Sequence, residues 1–329
     1  MIQLWNKTAK RIVSFLFAAI LLAASALMFT SCDSSWPKVT INISFNSKTY
    51  SIEYKLYRKF YPSTVRHFIE LADAGFYDGL CFHDYVEDEG MYTGAYEYVE
   101  EDYDTTQRGL VEKDYYDWLE DSGVSLTETV YEAVSEGTVP DSDTALHTLV
   151  GEFEANGYTI ENNDKNYGSK SEGGLVMYYP NIKELSESYA STDTTACTVK
   201  RNNKQDKTDD IKGTARWYSQ RNYCYNTATS MFYISFENSS GVEYDECVFG
   251  ELYDDDAEDE YDDLMDAIDD YIEENIGTDD EDEDDFTEET GELPAFSEND
   301  PYYGKSGLRD TYEVPVEPIV IKSIKVNRY

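Results

Sequence analysis

The feature that most limits the fold is a set of short segments in which apolar and polar residues alternate. Residues 39–45 alternate in this way, a turn signal follows at 46–47, and residues 52–56 alternate again. Because alternation places every second side chain on one face of a strand, these two runs predict a β-hairpin. Further strand-like runs lie at 80–85, 91–95, 146–153, 174–179, 230–236, 246–252 and 316–326. The last run changes phase between Ile321 and Ile324, which indicates a β-bulge.

Two segments far apart in the chain show helical periodicity. The first spans 62–75, where Pro62 suits the first turn and Gly75 suits a C-terminal cap. The second carries one apolar stripe from Tyr261 to Ile272. Short strands with only two clear helices predict an all-β class, as a closed antiparallel barrel or a sandwich.

Residues 1–31 have the composition of an export signal. Lys7, Lys10 and Arg11 precede a nearly unbroken apolar run at 12–29, and small residues lead to Cys32. This order is typical of a secretory signal, and Cys32 at this place resembles the lipid-modified cysteine of a bacterial lipobox. We predict a signal peptide over 1–31, a linker over 32–38 and lipid anchoring through Cys32 to a bacterial membrane. An uncleaved membrane anchor is the alternative, because the apolar run nearly reaches spanning length. Either interpretation puts the rest of the chain outside the cytoplasmic membrane.

The charge of the chain excludes two classes of direct partner. There are 26 Lys and Arg against 68 Asp and Glu, a net charge of −42. Nucleic acids and anionic membranes both attract basic surfaces, so we expect no nucleic acid binding and no membrane contact beyond the lipid on Cys32. A hydrophobic content of 40% still supports a core, and 30 Tyr residues favour strands.

Three polar stretches interrupt the strand pattern. They lie near 97–144, 180–221 and 277–312, and we interpret them as insertions within one domain over 39–329. Residues 253–292 contain 23 acidic residues in 40 and no Lys or Arg. The first half of that run predicts a helix with an acidic outer face, and the second half a loop. Carboxylates can bind divalent cations, but the Gly-containing spacing of an EF-hand is missing, which favours a solvated acidic face.

The cysteines and histidines do not indicate a metal or a cofactor. Four cysteines remain after Cys32, and in an oxidising compartment they permit three pairings, which the sequence leaves open. Cys81 and Cys247 lie in apolar runs and are predicted to be buried free thiols, whereas Cys197 and Cys224 lie in polar stretches. No CxxC pair occurs and the three His are scattered, so no metal site and no cofactor are predicted.

Several short blocks occur in a characteristic order. The first are YPSTVRHF at 61–68 and GFYDGLCFH at 75–83; later come GEFEANG at 151–157, SMFYI at 230–234, VFG at 248–250 and PVEPI at 315–319. Together they resemble the cyclophilin family, the barrel-type peptidyl-prolyl isomerases. Each block alone is weak, whereas their common order is specific.

The resemblance implies a closed eight-stranded antiparallel barrel capped by two helices and interrupted by the three insertions. The implied activity is rotation about X-Pro bonds in extracytoplasmic proteins, so the expected partners are Pro-containing polypeptides. That rotation has a high barrier and is slow without a catalyst. Family members use a surface groove in which an Arg donates to the proline nitrogen and a Gln holds neighbouring groups, without a covalent step.

The chain departs from this pattern at both catalytic positions. The family's Arg follows Phe-His, but here Asp84 follows Phe82 and His83, and the Gln position holds Thr93. An ionised Asp only accepts hydrogen bonds, so it cannot replace the Arg. We therefore expect weak or lost catalysis. A compensating cation from the second insertion is the alternative, with three candidates: Arg201, Arg216 and Arg221.

The substrate pocket is expected to be partly kept, although one pocket aromatic is lost at Gly90. By resemblance the substrate-binding residues are Phe82, His83, Met91, Phe232, Tyr233, Val242 and Glu246. The first hypothesis is thus an isomerase of reduced activity, and the second is a non-catalytic module that binds Pro-containing or basic partners. A structural or cation-buffering surface lipoprotein is a third hypothesis that rests on charge alone. The sequence leaves the oligomeric state open.

Overall fold

In the computed structural model, Ser35–Arg328 forms one compact unit, and the fold is that of this unit. The residues that the structure describes are 36–100, 106–113, 118, 122, 131–133, 152, 158–160, 169–178, 196–197, 199–201, 215–217, 223–224, 230–239, 246–276, 286–291 and 311–329.

The described part of the chain is mostly β-structure, as the sequence predicted. Its two long helices are α1 (Pro62–Asp73) and α2 (Asp255–Asn275). The strands are β1 (Lys38–Phe45), β2 (Lys48–Leu56), β3 (Asp84–Val86), β4 (Gly90–Thr93), β5 (Tyr96–Tyr98), β6 (Leu110–Glu112), β7 (Tyr131–Ala133), β8 (Tyr158–Ile160), β9 (Leu175–Tyr178), β10 (Ala196–Cys197), β11 (Val199–Arg201), β12 (Ala215–Trp217), β13 (Tyr223–Cys224), β14 (Phe232–Ser235), β15 (Glu246–Leu252), β16 (Thr287–Glu289), β17 (Glu313–Pro315) and β18 (Val320–Arg328).

One antiparallel sheet of eight strands forms the body of the domain, in the order β18-β1-β2-β15-β9-β14-β4-β3. The predicted hairpin is confirmed as β1 and β2, joined by Asn46 and Ser47, which both take positive φ. The predicted bulge is also confirmed, because the β1–β18 register shifts between Asn42 and Ile43, opposite Ser323 and Ile321. The sheet curls into a half-barrel, which is consistent with the expected fold.

The strand ladder does not close the barrel, so the expectation of a closed barrel is corrected. β3 and β18 are the two edges of the sheet. Gly79, at φ +88, ends a turn. The chain joins the sheet after this turn, shortly before β3. What joins the edges is one isolated bridge, Cys81 to Val320, with backbone bonds such as Phe82 N–H to the Ile319 carbonyl at 2.9 Å.

The two helices pack on this sheet through apolar faces. In α1 the first turn begins at Pro62, and Gly75 at φ +78 follows the C-cap Ala74, as the sequence predicted. In α2 the buried residues are Ala257, Tyr261, Leu264 and Ile268, while the other side is acidic. No helix in the described part of the chain has both the length and the apolar character needed to cross a membrane.

The core lies between the inner face of the sheet and α1. Phe232 of β14 meets Phe68 of α1 with ring centroids 5.4 Å apart, and Tyr77 at 5.5 Å. Cys81 and Cys247 are buried free thiols, which confirms the prediction for these two. The inner face of β14 is therefore the side that carries Phe232, and the next residue, Tyr233, points to the outer face.

Candidate functional site

Asp84 begins β3 at the position that the sequence assigned to the family's Arg. Its side chain is almost fully buried, with 3% of its surface exposed. Its Oδ1 accepts a hydrogen bond of 2.9 Å from the backbone N–H of Glu313 in β17. The carboxylate thus serves as an acceptor that holds β17 beside the edge strand of the sheet.

Thr93, at the position predicted for the family's Gln, also makes an internal hydrogen bond. It is fully buried, and its hydroxyl donates to the Cys81 carbonyl at 2.8 Å. In the β4–β14 ladder Thr93 pairs with Phe232 and Met91 pairs with Ile234. Directly paired residues point to the same face of an antiparallel sheet, so Thr93 and Met91 lie on the inner face with Phe232.

A cluster of aromatic side chains occupies the outer face at the same strands. Tyr92 pairs with Tyr233, and their rings stack with centroids 4.5 Å apart. Tyr178 of β9 meets the Tyr92 ring edge-on at 5.1 Å and lies 5.9 Å from Tyr233. We call Tyr92, Tyr178 and Tyr233 the outer tyrosine cluster. Tyr233 has no exposed surface, although it lies on the outer face, because the cluster covers it.

Two charged side chains border the outer tyrosine cluster. Glu246 accepts a 2.7 Å hydrogen bond from the Tyr233 hydroxyl, and its other oxygen lies 2.9 Å from the Lys170 ammonium. Lys170 also lies 3.4 Å from Glu237 and 5.5 Å from the centre of the Tyr233 ring. Burial, followed by the charge of Glu246, raises the pKa of Tyr233 above its usual range, so this phenol stays protonated.

The pKa of Lys170 reflects opposing effects. Burial lowers it, but the hydrogen bond to Glu246 and the attraction of Glu246 and Glu237 raise the pKa of Lys170 above its ordinary value. Lys170 therefore remains a cation with only 7% of its surface exposed. It balances carboxylates that would otherwise be costly to bury.

Phe82 and His83 are buried beside these strands. Phe82 has 1% of its surface exposed. His83 has none, and its ring lies 4.9 Å from both Tyr96 and Tyr312. Neither ring nitrogen has a hydrogen-bond partner among the described residues. Burial lowers the pKa of His83 to about 3, so it is a neutral core residue at physiological pH.

The structure brings together only part of the predicted site. Tyr233 and Glu246 meet on the outer face, whereas Met91, Thr93 and Phe232 lie on the inner face. Val242 and Cys32 lie outside the described residues, as does Arg221, and the side chains of Arg201 and Arg216 are not described. The roles assigned to these positions stay predictions.

Sequence reasoning missed Tyr92, Tyr178 and Lys170. The two-residue period of a strand, applied to β4, could have identified Tyr92, since Tyr92 points to the opposite face from Met91 and Thr93. Tyr178 ends a strand that the sequence did predict, 174–179. Lys170 had no signal, because it precedes that strand and the ladder brings it to Glu246 across 76 positions of sequence.

The chemistry available at this site is binding and packing. Two acceptors, Asp84 and Glu246, are each engaged by an internal donor. Within the described residues no group of three or more His, Cys, Asp or Glu is placed to hold a metal ion.

Comparisons with known proteins give one family match. Residues 40–139 match the family described as "Cyclophilin type peptidyl-prolyl cis-trans isomerase/CLD". No curated protein gives a significant match to this sequence. Among solved structures, a Cryptosporidium parvum cyclophilin type peptidyl-prolyl cis-trans isomerase is 12% identical, with 89% of this chain and 99% of that chain covered and a TM-score of 0.37. The same protein in the presence of the dipeptide Ala-Pro is 11% identical over the same shares, with a TM-score of 0.35.

Those two structural overlaps are loose and add nothing to the assignment. The family match covers most of β1, then β2 to β7 with α1, and the curled antiparallel sheet of eight strands is consistent with the cyclophilin-like fold. Over residues 40–139 the chain therefore matches the cyclophilin-type peptidyl-prolyl cis-trans isomerase family, as the sequence blocks in that range predicted.

Proposed function

We propose that this chain is an exported, lipid-anchored cyclophilin-type protein. It acts on X-Pro bonds of extracytoplasmic proteins, with weak or lost isomerase activity. The observation that carries the proposal is Asp84. The family pattern requires a cationic donor at this position, whereas the Asp84 carboxylate accepts from the Glu313 N–H and is buried. An acceptor there cannot stabilise the twisted X-Pro bond through its nitrogen.

The size of the expected loss follows from the value of one donor in a transition state. Removing a preorganised donor costs roughly 3 kcal/mol, or about a hundredfold in rate. Thr93 adds to the loss, because its hydroxyl is engaged by the Cys81 carbonyl. The Lys170 ammonium lies 5.5 Å from the centre of the Tyr233 ring, but it is shared between Glu246 and Glu237.

The second candidate is a binding module without catalysis, for Pro-containing or basic partners. Two observations favour it over a structural lipoprotein. The outer tyrosine cluster keeps aromatic side chains on the outer face of the sheet, and the exposed side of α2 is acidic along its whole length. A basic partner would be attracted by that charge, and the attraction would weaken with salt.

A protease-coupled assay on an X-Pro peptide tests the proposed loss of activity. The purified chain and an Arg-containing family member are run side by side at equal concentration. We expect the chain to accelerate isomerisation at least about a hundredfold less than the family member, as one missing donor predicts. Acceleration equal to that of the family member would refute the proposal.

Lipid attachment is tested separately in the producing cell. With labelled palmitate, the wild-type chain should carry label and fractionate with membranes, and Cys32→Ser should do neither. Label on the Cys32→Ser variant, or an unlabelled wild-type chain, would remove the lipoprotein from the proposal.

A further inference from the structure

The outer tyrosine cluster fills a place where a sheet surface would otherwise be open. Tyr233 lies on the outer face of β14, and a residue there normally exposes its ring to solvent. Its exposed surface is nevertheless zero. Tyr92, the residue directly opposite on β4, lies against one side of this ring and is itself only 6% exposed. Stacking at 4.5 Å between centroids leaves no space for a third ring between them.

We propose that Tyr92 occupies the proline pocket of this chain, so that a Pro-containing segment binds only when the Tyr92 ring has moved away. This inference rests on the proposed function and takes Tyr233, a predicted substrate-binding residue, as the floor of that pocket. It adds to that function a specificity-determining residue, Tyr92, at a position to which the family pattern assigns no role.

The backbone allows this arrangement because of Gly90. A Cβ at Gly90 would lie 2.6 Å from the Ile234 carbonyl oxygen and 2.8 Å from the Tyr233 ring. No larger residue fits there without displacing the ring. Loss of the pocket aromatic at Gly90 thus lets Tyr233 lie flat along β4, where Tyr92 stacks on it.

Tyr92 is held by interactions that are individually small. Its hydroxyl donates to Glu89 in the same hairpin, and its ring meets the edge of Tyr178. One aromatic pair and one hydrogen bond each correspond to roughly a tenfold change in an equilibrium. A ligand that must displace Tyr92 therefore binds about ten- to a hundredfold more weakly than it would to an open pocket.

The floor of the pocket does not depend on Tyr92. The Tyr233 hydroxyl donates to Glu246, and Lys170 lies against the same ring while pairing with Glu246. These contacts come from β15 and from the segment before β9, not from β4. Shortening Tyr92 should consequently uncover Tyr233 and leave its ring in place.

Calorimetric titration with the peptide Ala-Ala-Pro-Phe tests the inference on the full chain. We expect Tyr92→Ala to bind this peptide about ten- to a hundredfold more tightly than the wild type. Tyr92→Phe is the matched control, because it keeps the stacked ring and removes the bond to Glu89, so its gain should be less than about tenfold. The peptide Ala-Ala-Ala-Phe should gain nothing in any variant.

Tyr92→Val is made in parallel, because Val favours strands and preserves the fold if Ala does not. Circular dichroism establishes that each variant is folded before titration. Equal affinity of the wild type and a folded Val or Ala variant would overturn the inference, and so would an equal gain for the peptide without proline. The proposed function fails on a different result, namely full isomerase activity of the wild type in the coupled assay.

Discussion

At the scale of single residues, the two positions that the resemblance assigned to catalysis make internal hydrogen bonds. Asp84 binds the backbone of β17, and Thr93 binds the carbonyl of Cys81. Both side chains are buried, so each polar group must find a partner inside the protein. The substitutions therefore carry a stability role that the sequence pattern alone does not show.

Removing the Asp84 acceptor should destabilise the fold. In Asp84→Ala the Glu313 N–H loses its partner, and an unsatisfied buried donor costs about 1–3 kcal/mol. Urea unfolding followed by circular dichroism measures the change. Asp84→Asn is the control, since its amide oxygen can still accept, and it should lose clearly less stability. Equal stability of Asp84→Ala and wild type would show that the bond to β17 contributes nothing.

His83 should make the fold sensitive to acid. Its pKa is about 3 in the folded chain, against about 6.5 when unfolded, so the unfolded state binds the extra proton between these values. The contribution of His83 to stability is therefore complete above pH 6.5 and falls by up to about 1.4 kcal/mol per pH unit below it. His67, whose pKa burial also lowers to about 3, adds a similar slope.

The variant His83→Phe isolates the contribution of His83 to the pH dependence of stability. An aromatic ring should fit between Tyr96 and Tyr312 without a titrating group. Unfolding free energies measured at pH 7.5, 6 and 5 should fall less steeply for the variant than for the wild type. Parallel curves over this range would mean that His83 is not the titrating residue.

At the scale of elements, the N-terminus of α1 depends on a residue distant in sequence. Its N-cap, Tyr61, makes no side-chain cap. Instead Glu152 accepts from the backbone N–H groups of Ser63 at 3.2 Å and Thr64 at 2.9 Å. A carboxylate at a helix N-terminus is favoured by the helix dipole. Burial nevertheless dominates, and it raises the pKa of Glu152 to about 7.

This raised pKa gives a pH dependence opposite to that of His83. The folded pKa of about 7 exceeds the ordinary value of 4.5, so the folded state binds the extra proton between pH 4.5 and 7. The contribution of Glu152 to stability is present below 4.5 and is lost as pH rises through 7. Glu152→Gln keeps an acceptor for the helix and removes the titration.

We expect the stability of the wild type relative to Glu152→Gln to increase as pH is lowered from 8 to 5, by up to about 1.4 kcal/mol per unit. Denaturant unfolding at several pH values measures this difference, with the His residues common to both chains. A difference that is independent of pH would show that Glu152 does not titrate in this range.

At the scale of the whole molecule, the excess of acidic residues opposes the compact state. The net charge is −42, and the outer side of α2 concentrates part of it. Asp269 illustrates the crowding, since partial burial and the nearby Asp266, Glu273 and Asp270 raise its pKa. Repulsion of this kind acts over the Debye length and is reduced by salt.

Salt should therefore stabilise this protein. Raising NaCl from about 20 mM to about 500 mM shortens the Debye length from roughly 20 Å to about 4 Å, and the melting temperature should rise. Scanning calorimetry measures it. The double variant Asp266→Asn with Asp269→Asn has two fewer charges on α2 and should show a smaller rise. An unchanged or lower melting temperature in high salt would contradict this expectation.

Much of the fold could be predicted because its signals are local. The hairpin of β1 and β2, the β18 bulge and both helices follow from periodicity within single segments. Strand alternation and helical stripes are set by the geometry of the chain itself. Closure of the barrel was predicted wrongly, because it depends on how the chain around Gly79 meets Ile319 and Ile321, far away in sequence.

The candidate site was harder to predict from the sequence, since the residues that come together there depend on the register of strand pairing. All residues of β4 and of β14 are buried, so neither strand carries the alternation that separates an inner from an outer face. A shift of one residue in their pairing exchanges the two faces completely. Local patterns in the chain thus specified the strands, the helices and the anionic residue at Asp84. Only tertiary pairing decided that Tyr92 stacks on Tyr233. The sequence of a strand that is buried on both faces does not by itself specify its register with the neighbouring strands.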